Sequence, residues 1–454
     1  MPAPKPLALT PAQVRAVRIL AQGLPPERKP PLLPTLERTG LVRTLGGADS
    51  YLGVRARVPG LHRADLDAVV TAGTAQVIPA ARGCIYLVAK RDVPLCLRFA
   101  DLMSRPRVER EYDKAGIKQG EVQEVADVAF TVLVTQGPLT TDSLRRAMPD
   151  GSVRSLGERG KKVGISSPLP GALRLLEFAG KVTRTPEGGR LDTERYLWRA
   201  TGKDPFANAA LPEAPGKLHA RMLELFVRTA GIGTLKHFCD WSGLAQRDAR
   251  AALAHVDLRP VTAEGIDGEA FAAPDVTALL RDADSAAAAT ALLPFEDNLM
   301  HLAGGPRHLV DAQHHGLMVP NWGGGGPTAL ADAAHMAFRG VIADGRLCGF
   351  WEYDPDRKGI VIRCFDTPSK ASQQRLDDLA VSTAAFLRDE LGHGHSFSLD
   401  TDAEMKTRIG LLDKIGRGAA AKVAVEPTPA ASRPGKAKVV KLTTAKAKPR
   451  KAAQ

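Results

Sequence analysis

The chain has 454 residues, of which 44% are apolar and 25% are charged, and its formal net charge is +12. This length predicts several domains, and the composition is typical of a soluble globular protein. No apolar run approaches the roughly 20 residues of a membrane span, and the N-terminus lacks the apolar core of a signal peptide. We therefore expect a cytoplasmic protein without a membrane partner. The five cysteines form no Cys-x-x-Cys pair, which argues against a cysteine zinc site.

The positive charge is concentrated at the C-terminus. Residues 421–454 contain nine Lys or Arg and one Glu, so they carry +8 of the net charge. Their Ala, Lys and Pro content predicts a disordered basic tail over residues 417–454. Such a tail can lie along DNA phosphates, or it can be a solubilising segment that binds nothing specific. We predict the DNA role, with contacts from Lys436, Lys438, Lys441, Lys446 and Lys448.

Residues 8–92 are predicted to form one unit. A helix begins at Thr10-Pro11, which joins a capping residue to proline at the first helical position. After the Gly46-Gly47 break two short helices follow, the second from about Arg63 to Ala72. Two β-rich runs between residues 76 and 88 suit a hairpin. Helices followed by a hairpin indicate a winged helix, a common module for reading nucleic acid.

The same order of elements recurs twice. Residues 93–205 contain three helical stripes and a hairpin around a Pro-Glu-Gly-Gly turn, and residues 215–280 contain a weaker copy. Thr140 or Thr141 can cap a short helix in the first of these, and Thr234 can do so in the second. Three such units predict a tandem winged-helix array that could follow a duplex.

Residues 291–413 form a different kind of domain. Strand-like runs at 335–342, 346–353 and 360–365 are separated by Asp-Gly and Asp-Pro-Asp turns, which predicts an antiparallel meander. A long helix follows, with an apolar side between Leu376 and Leu387.

The predicted fold class is α+β and mainly helical, with tandem winged-helix domains, a β-rich C-terminal domain and a disordered basic tail.

Several basic side chains outside the tail are candidate DNA contacts. The first hairpin, the second hairpin and a polar loop of the second unit each carry residues that could reach phosphates or a minor groove. Singly, such residues are more often solvated surface charges, so the prediction depends on the winged-helix setting. The candidates in these three places are Arg82, Arg184, Arg190, Arg154, Lys161 and Lys162.

No motif predicts a metal or a cofactor. His314-His315, His393 and His395 have no His-Glu-x-x-His motif and no cysteine partner, so a surface or core role is favoured for them. The run Gly323–Gly326 lacks a following Lys-Ser/Thr and is predicted to be a loop rather than a phosphate cradle. The chain also contains no Gly-x-Ser-x-Gly sequence.

Asp49 is the carboxylate that could carry chemistry. It stands where a helix begins, and there an Asp side chain commonly accepts hydrogen bonds from free backbone N–H groups, so position alone favours capping. An Asp in a site that excludes bulk solvent can also deprotonate a water molecule or stabilise a cationic sugar centre. For that chemistry we expect Asp49 to point into a positively charged concave face of the repeated units.

Separated pieces of the chain resemble one family of DNA repair enzymes. The pieces are Ala21-Gln22-Gly23-Leu24, Asp49-Ser50, Arg55-Ala56-Arg57, the strand 82–88, and the segments 293–298 and 349–354. Their order over residues 9–413 resembles that of the winged-helix DNA glycosylases of the AlkZ/YcaQ-like type. Those bacterial base-excision enzymes remove alkylated or crosslinked purines.

The resemblance implies a monofunctional DNA glycosylase, a hydrolase of base excision repair. In the family a Gln-x-Gln or Gln-x-Asp motif places the hydrolytic water at the sugar carbon. The corresponding triplet here is Gly47-Ala48-Asp49, so Asp49 is the implied catalytic residue and a glycine replaces the expected glutamine. By the logic of glycoside hydrolysis, Asp49 would act as base and stabilise an oxocarbenium-like transition state. Arg55, close to the motif, is a candidate DNA contact.

These inferences leave two functions open. The first is a metal-free DNA glycosylase that acts as a monomer on double-stranded DNA in the cytoplasm, at the nucleoid. The second is a non-catalytic DNA-binding protein, either a regulator or a nucleoid-associated factor, which the missing glutamine and the basic tail would suit.

Overall fold

The structure is a computed structural model that describes residues 5–24, 30–202, 204–207, 209–212, 214–322 and 326–416. The predicted basic tail and its five candidate lysines therefore lie outside the described residues, as do three glycines of the run 323–326. Three units with a common order of elements precede a C-terminal sheet domain. Within the described part of the chain, no helix is long and apolar enough to cross a membrane.

The chain begins with β1 (Leu7–Leu9) and α1 (Pro11–Ala21). As predicted, Thr10 caps α1, because its Oγ1 accepts from the Gln13 N–H at 3.3 Å while the Gln13 side chain accepts from the Thr10 N–H at 2.9 Å. Strand β1 pairs in parallel with residues 261–263, and the buried side chains Val14 and Val17 of α1 pack in the same apolar cluster. The structure thus places α1 with the third unit rather than with the first, where its position in the sequence had put it.

The first unit packs three helices against a small antiparallel sheet. Its elements are α2 (Leu32–Thr39), β2 (Val42–Arg43), α3 (Asp49–Arg55), α4 (Arg63–Thr71), β3 (Ala75–Pro79) and β4 (Ile85–Ala89). The strand order is β2–β4–β3, so the last strand lies in the centre. Arg82, with a φ of 54°, forms the bend of the hairpin that the sequence predicted.

A long helix, α5 (Val93–Ala115), leads into the second unit. That unit consists of α6 (Gln119–Gln136), β5 (Leu139–Thr140), α7 (Thr141–Ala147), α8 (Gly157–Val163), α9 (Leu169–Phe178), β6 (Val182–Pro186) and β7 (Tyr196–Ala200). Its strand order, β5–β7–β6, matches that of the first unit. Thr140 caps α7 through the Ser143 N–H at 3.1 Å. The unit has a separate apolar core that includes Leu133, Leu173 and Trp198.

The third unit repeats the order of the first unit and ends in two short helices. Its elements are α10 (Pro215–Ala230), β8 (Ile232–Thr234), α11 (Leu235–Ser242), α12 (Gln246–Leu253), β9 (Arg259–Ala263), β10 (Ala270–Ala272), α13 (Val276–Leu279) and α14 (Ala283–Ala287). The order β8–β10–β9 again puts the last strand in the centre, and β1 extends the sheet beside β9. Thr234 caps α11 through the His237 N–H at 3.1 Å, as predicted.

The C-terminal domain is built on an antiparallel sheet in the order β11–β14–β15–β16, which contains the predicted meander. Its elements are β11 (Ala291–Leu292), α15 (Asn298–His301), β12 (Met318–Val319), β13 (Thr328–Ala329), β14 (Arg339–Ala343), β15 (Arg346–Asp354), β16 (Gly359–Cys364), α16 (Lys370–Ala385) with a π-helical continuation to Leu391, and α17 (Asp402–Gly416). The helices α16 and α17 lie against this sheet.

The first unit and the C-terminal domain share one apolar core. Tyr51 and Leu52 of α3 are buried in the same cluster as Trp351 and Phe386 of the C-terminal domain. Burial of one such side chain contributes roughly 1.5–3 kcal/mol, so apolar packing stabilises this interface. The packing brings the first turn of α3 against β14 and β15, far along the chain from it.

Candidate active site

Asp49 lies at this interface and is only 6% exposed. Its Oδ1 accepts two hydrogen bonds from Arg339 of β14, from Nε at 3.1 Å and from Nη2 at 2.7 Å. The residue that precedes α3 is Ala48, and the helix start has no side-chain cap. The predicted capping role of Asp49 is therefore wrong. The expected position on an open, basic face is wrong as well, because α3 packs against the C-terminal sheet.

Arg339 is the centre of a buried chain of alternating charges. Its Nη1 donates to Glu352 Oε1 at 2.9 Å, and its Nη2 donates to the carbonyl of Gly394 at 2.8 Å. Glu352 also accepts from Arg408, and Arg408 pairs with Asp400 at 2.7 Å. Buried charges are costly unless each one is paired and hydrogen-bonded. The alternation meets this condition, and it holds Arg339 in a fixed position beside Asp49.

A cavity of about 20 Å³ lies beside Asp49. Roughly 10–15 Å³ is enough for a water molecule, so the cavity has room for about one. Its walls include Arg43 of β2, Arg57, which follows α3, and Glu296 from the C-terminal domain. Asp49 Oδ2 is buried and has no hydrogen-bond partner within the described ranges. One carboxylate oxygen is thus held by an arginine, while the other is available to a water molecule.

The surroundings raise the pKa of Asp49 from 3.8 to about 7. Burial is the largest cause, because it penalises the charged carboxylate. Arg339 opposes it through its charge and its hydrogen bonds, and the charges of Glu352 and Asp400 add to the increase. A carboxyl with a pKa near neutrality can take up or release a proton at physiological pH, as a general acid or base must.

Arg57 connects three pieces of the sequence that carry the family resemblance. It is 3% exposed, and its guanidinium pairs with both oxygens of Asp297, at 2.8 and 2.9 Å. It also donates to the side-chain oxygen of Gln22 at 2.9 Å and to the carbonyl of Gly53 at 2.7 Å. A bidentate arginine–carboxylate pair fixes geometry as well as charge. The segments around Gln22, Arg57 and Asp297 are therefore joined at one wall of the cavity.

Three aromatic rings pack together at the cavity. Phe295, which lines it, lies 5.2 Å from Trp322 and 6.2 Å from Phe397 between ring centroids, and the last two rings are 6.0 Å apart. Trp322 and Phe397 are partly exposed, whereas Phe295 is buried. Aromatic faces are the groups on which proteins commonly stack unpaired bases.

Gly47 is in contact with the backbone of the segment His395–Ser398. The Ala48 N–H donates to the His395 carbonyl at 2.8 Å, and the Ser398 N–H donates to the Leu45 carbonyl at 2.8 Å. A Cβ added at Gly47 would lie 2.4 Å from the carbonyl carbon of Ser396. The segment therefore occupies the space that a glutamine at this position would need, which accounts for the glycine in physical terms.

We expect the substitution Gly47→Ala to destabilise the protein by about 1–3 kcal/mol, the usual cost of overpacking a close contact. The neighbouring atoms belong to backbone, which cannot move aside as a side chain can. The free energy of unfolding in urea measures the effect. The matched control is Gly410→Ala in α17, where an added Cβ meets no atom of the described residues within 4 Å. Equal stability of the two variants would contradict the expectation.

Two of the predicted DNA contacts are used by the fold. Arg184 is 6% exposed and pairs with Glu177 at 2.5 Å, with its guanidinium over the ring of Trp198. Arg55 donates to the carbonyl of Leu61 and lies 4.7 Å over the Phe386 ring. The prediction for Arg184 is wrong because the side chain belongs to the core of the second unit, and Arg55 is likewise directed towards protein groups.

The hairpin residues Arg82 and Arg190 are both bonded to other parts of the chain. Arg82 Nη1 donates to the carbonyl of Asp240 in the third unit at 3.2 Å. Arg190 pairs with Asp192 and donates to the carbonyl of Leu391 at 2.8 Å. The two arginines therefore connect units, and as DNA contacts they remain predictions.

The loop of the second unit keeps its charges at the surface. Arg154, Lys161 and Lys162 are all exposed, although Arg154 pairs with Glu121 at 2.6 Å and Lys161 pairs with Glu158. None of the three lines the cavity beside Asp49. The structure therefore gathers these basic residues on the second unit and not around the candidate catalytic carboxyl.

Sequence reasoning did not identify Arg339, Glu352 or Glu296 as site residues. A signal was nevertheless present for the first two, because a charged residue within a strongly apolar strand must find a partner when that strand is buried. Arg339 begins the run Arg-Gly-Val-Ile-Ala, and Glu352 follows Gly-Phe-Trp. Only the register of β14 on β15, which sets Arg339 opposite Trp351, places these charges near each other.

Comparison with known proteins identifies the class. Residues 36–387 match the family model described as "DNA glycosylase AlkZ-like". This range includes Asp49, Arg57, Glu296 and Arg339. The protein therefore belongs to the class of DNA glycosylases, enzymes that remove bases from DNA.

In particular, the chain belongs to the AlkZ-like DNA glycosylase family. Its fold is similar to that of Streptomyces sahachiroi DNA glycosylase AlkZ, with a TM-score of 0.62 and 18% sequence identity over 86% of this chain and 98% of that one. Comparison with curated proteins finds no significant match. The family membership favours the enzyme over the non-catalytic DNA-binding alternative.

Proposed function

We propose that this glycosylase hydrolyses the N-glycosidic bond of alkylated or crosslinked bases, and that Asp49 activates the attacking water. The observation that carries the proposal is the state of the Asp49 carboxyl. One oxygen is fixed by Arg339, and the other, beside a cavity with room for one water, has no hydrogen-bond partner among the residues that the structure describes. It occupies the acidic position of the motif that the family resemblance implies.

The proposed reaction needs no metal and no cofactor. The bond between the sugar carbon and the base nitrogen breaks, its electron pair leaves with the base, and positive charge develops on the sugar. A carboxylate near this charge stabilises it electrostatically. The water oxygen then bonds to the sugar carbon, and Asp49 accepts the proton that the water releases. The products are an abasic sugar and the free base.

Arg339 serves as a positioning residue in this proposal. Its two hydrogen bonds restrain Asp49 Oδ1, so that rotation of the carboxyl cannot turn Oδ2 away. Since Gly47 has no side chain, Asp49 must orient the water without a glutamine. Fixed geometry of this kind is what converts an ordinary carboxyl into an efficient base.

A base is much larger than the cavity, so substrate binding requires the cavity to widen. The aromatic group Phe295, Trp322 and Phe397 borders it, and Phe397 belongs to the segment that contacts Gly47. Enzymes that act on bases turn the target nucleotide out of the duplex and stack it between such side chains. Movement of the segment His395–Ser398 would open Asp49 to the sugar and expose these rings to the base.

The test of this function is base release from duplexes that each contain one defined lesion, either an alkylated purine or a purine crosslink. We expect release from at least one of these and none from the undamaged duplex. The abasic product is detected by strand cleavage in hot alkali. Absence of release from the whole panel, by protein that is folded and binds the duplex, would refute the proposed activity.

The pH dependence of base release is expected to follow the pKa of Asp49, which is raised to about 7. Only the ionised carboxyl can accept a proton, so the single-turnover rate should rise as the pH increases through neutrality and then level off. The increase should be absent from the residual rate of Asp49→Asn. A wild-type rate that falls with pH, or one that already levels off near pH 4, would contradict this assignment.

We further propose that the three units are winged helices that bind double-stranded DNA, with the protein acting as a monomer at the nucleoid. The first and third units have the order helix–strand–helix–helix–strand–strand, and the second has one additional helix before its last two strands. In each unit the third strand lies between the first two. This supports the winged-helix assignment. The exposed Arg154, Lys161 and Lys162 are suitable phosphate contacts, and the basic tail would add contacts that do not depend on base sequence.

Removal of residues 421–454 is expected to flatten the salt dependence of duplex binding. Each phosphate contact that is lost lowers the slope of log K against log salt by roughly 0.9. A full-length variant with glutamine in place of five lysines removes their charge but keeps the tail, so it separates the effect of charge from that of tail length. The five are Lys436, Lys438, Lys441, Lys446 and Lys448. Binding measured by fluorescence anisotropy over a salt series should show both slopes reduced. Slopes equal to that of the wild type would show that the tail does not contact DNA.

A further inference from the structure

Glu296, His301 and His335 bring three potential metal ligands together at the wall of the cavity. His335 Nδ1 lies 2.9 and 3.2 Å from the two carboxylate oxygens of Glu296, and His301 Nδ1 lies 3.8 Å from Oε2. One ligand atom from each residue lies within 4.8 Å of the other two. Among the described residues, this is the one group of three or more His, Cys, Asp or Glu with that geometry.

The distances suit a small divalent ion. Zinc binds histidine nitrogen and carboxylate oxygen at about 2.0–2.1 Å, so two donors of a tetrahedral site lie roughly 3.3 Å apart. The separations of 2.9 and 3.8 Å between Glu296 and the two histidines lie on either side of this value. Two histidines and one carboxylate leave the fourth position to water.

The protein's own hydrogen bonds satisfy only part of this cluster. His301 is 10% exposed along its side chain, and its Nε2 is buried without a partner in the described chain. Glu296 has a φ of 59°, a conformation that costs a non-glycine residue of order 1–3 kcal/mol and often marks functional sites.

The charges around the cluster set limits on its affinity. Arg43 and Arg82 are among the described residues whose charge acts on it, and both would repel a dication. Arg43 is engaged with Tyr86, to whose hydroxyl it donates at 3.3 Å. Glu296 forms its ion pairs with the two histidines, as far as the described residues show. The side chain of His335 is 38% exposed, which provides an entry path from solvent.

We propose that Glu296, His301 and His335 bind a divalent transition-metal ion of the zinc type. This proposal differs from the sequence-based prediction that the protein holds no metal. The sequence contained no sign of the site because its three ligands are spread over residues 296–335 and form no local motif. The ion would fix the strained backbone at Glu296 and thereby one wall of the cavity beside Asp49. It takes no part in the proposed bond hydrolysis.

The test uses the full-length protein, treated with a chelator and then titrated with Co²⁺ or Zn²⁺ alone. We expect one equivalent of Co²⁺ to give the visible bands of a low-symmetry site, and one equivalent of Zn²⁺ to displace it and raise the melting temperature. His335→Ala and His301→Gln should each weaken binding by about 100-fold or more, since loss of an outer-sphere partner alone costs roughly 10–100-fold. The exposure of His335 makes its truncation compatible with folding.

His395→Ala is the matched control, because His395 lies beside His393, with 5.2 Å between ring centroids, and could bind a metal adventitiously. It should leave the titration unchanged. Three outcomes would each overturn the proposal. The wild-type protein could give no Co²⁺ bands, the bands could survive in both ligand variants, or the bands could be lost only in the control variant. The titration contains no DNA, so its failure is distinct from failure of the glycosylase proposal.

Discussion

Replacement of Asp49 by asparagine is expected to slow base release by roughly 10²–10⁴-fold, the usual contribution of a general acid or base. Asparagine has nearly the same shape, but it can neither accept the proton of the attacking water nor balance positive charge on the sugar. Duplex binding should stay close to that of the wild type, because Asp49 is buried and 6% exposed. Single-turnover release from a lesion duplex measures the effect, with binding followed separately.

A buried control is needed, because Asp49→Asn also removes a charge beside Arg339. Glu352→Gln removes a carboxylate from the same arginine without changing the cavity lining. It should reduce stability while leaving most of the base-release rate. If the two variants lose equal rate, the loss comes from the charge network and Asp49 is not the base. If Asp49→Asn keeps the wild-type rate, Asp49 has no place in the reaction.

Replacement of Arg339 by methionine is expected to lower the free energy of unfolding by about 3–5 kcal/mol. The guanidinium is 1% exposed and pairs with Asp49 at 2.7 Å and with Glu352 at 2.9 Å. Methionine would fill much of the space, but it would leave two carboxylates buried without their common partner. Removal of one partner from a buried ion pair lowers the free energy of unfolding by far more than the intact pair contributes, because the other charge stays buried without a partner.

Urea denaturation followed by tryptophan fluorescence suits this measurement, because the Arg339 guanidinium lies 4.9 Å over the ring of Trp351. The control is Arg388→Met, where an exposed arginine pairs with its exposed neighbour Asp389. The control should leave the urea midpoint unchanged, because exposed pairs contribute little. A midpoint for Arg339→Met equal to that of the control would mean that the buried network does not stabilise the interface.

Asp49→Asn and Arg339→Met separate two roles of this charge network, the reactivity of the Asp49 carboxyl and its position. Asp49 would lose reactivity if its pKa fell to the ordinary value, and it would lose its position if Arg339 were absent. Burial raises the pKa of Asp49, and Arg339 restrains its carboxylate. The environment that makes the carboxyl reactive therefore also lowers the stability of the folded protein, because a charged group is buried there. Perturbed carboxyls with defined charge partners are typical of functional sites, although structural networks can show them too.

The sequence predicted local features well where neighbouring residues determine them. The caps at Thr10, Thr140 and Thr234 and the two clear hairpins follow from side chains within a few positions of the feature. The 23-residue helix α5 was not predicted. It contains Pro106 and many charged residues, and its apolar side is limited to the first half, so no helical stripe runs along it.

The sequence by itself determined the three-fold repetition of the units, the meander and the helix caps, because turns, caps and apolar periodicity act over short distances along the chain. Asp49 as the candidate carboxyl came from the family resemblance, since its position alone favoured capping. Only the tertiary structure decided that α1 joins the third unit, that Arg184 is buried, and that Asp49 is sealed against Arg339 rather than exposed. Those outcomes depend on which apolar faces pack together. Asp49 and Arg339 are 290 positions apart in the sequence, and no local signal indicates that they pair.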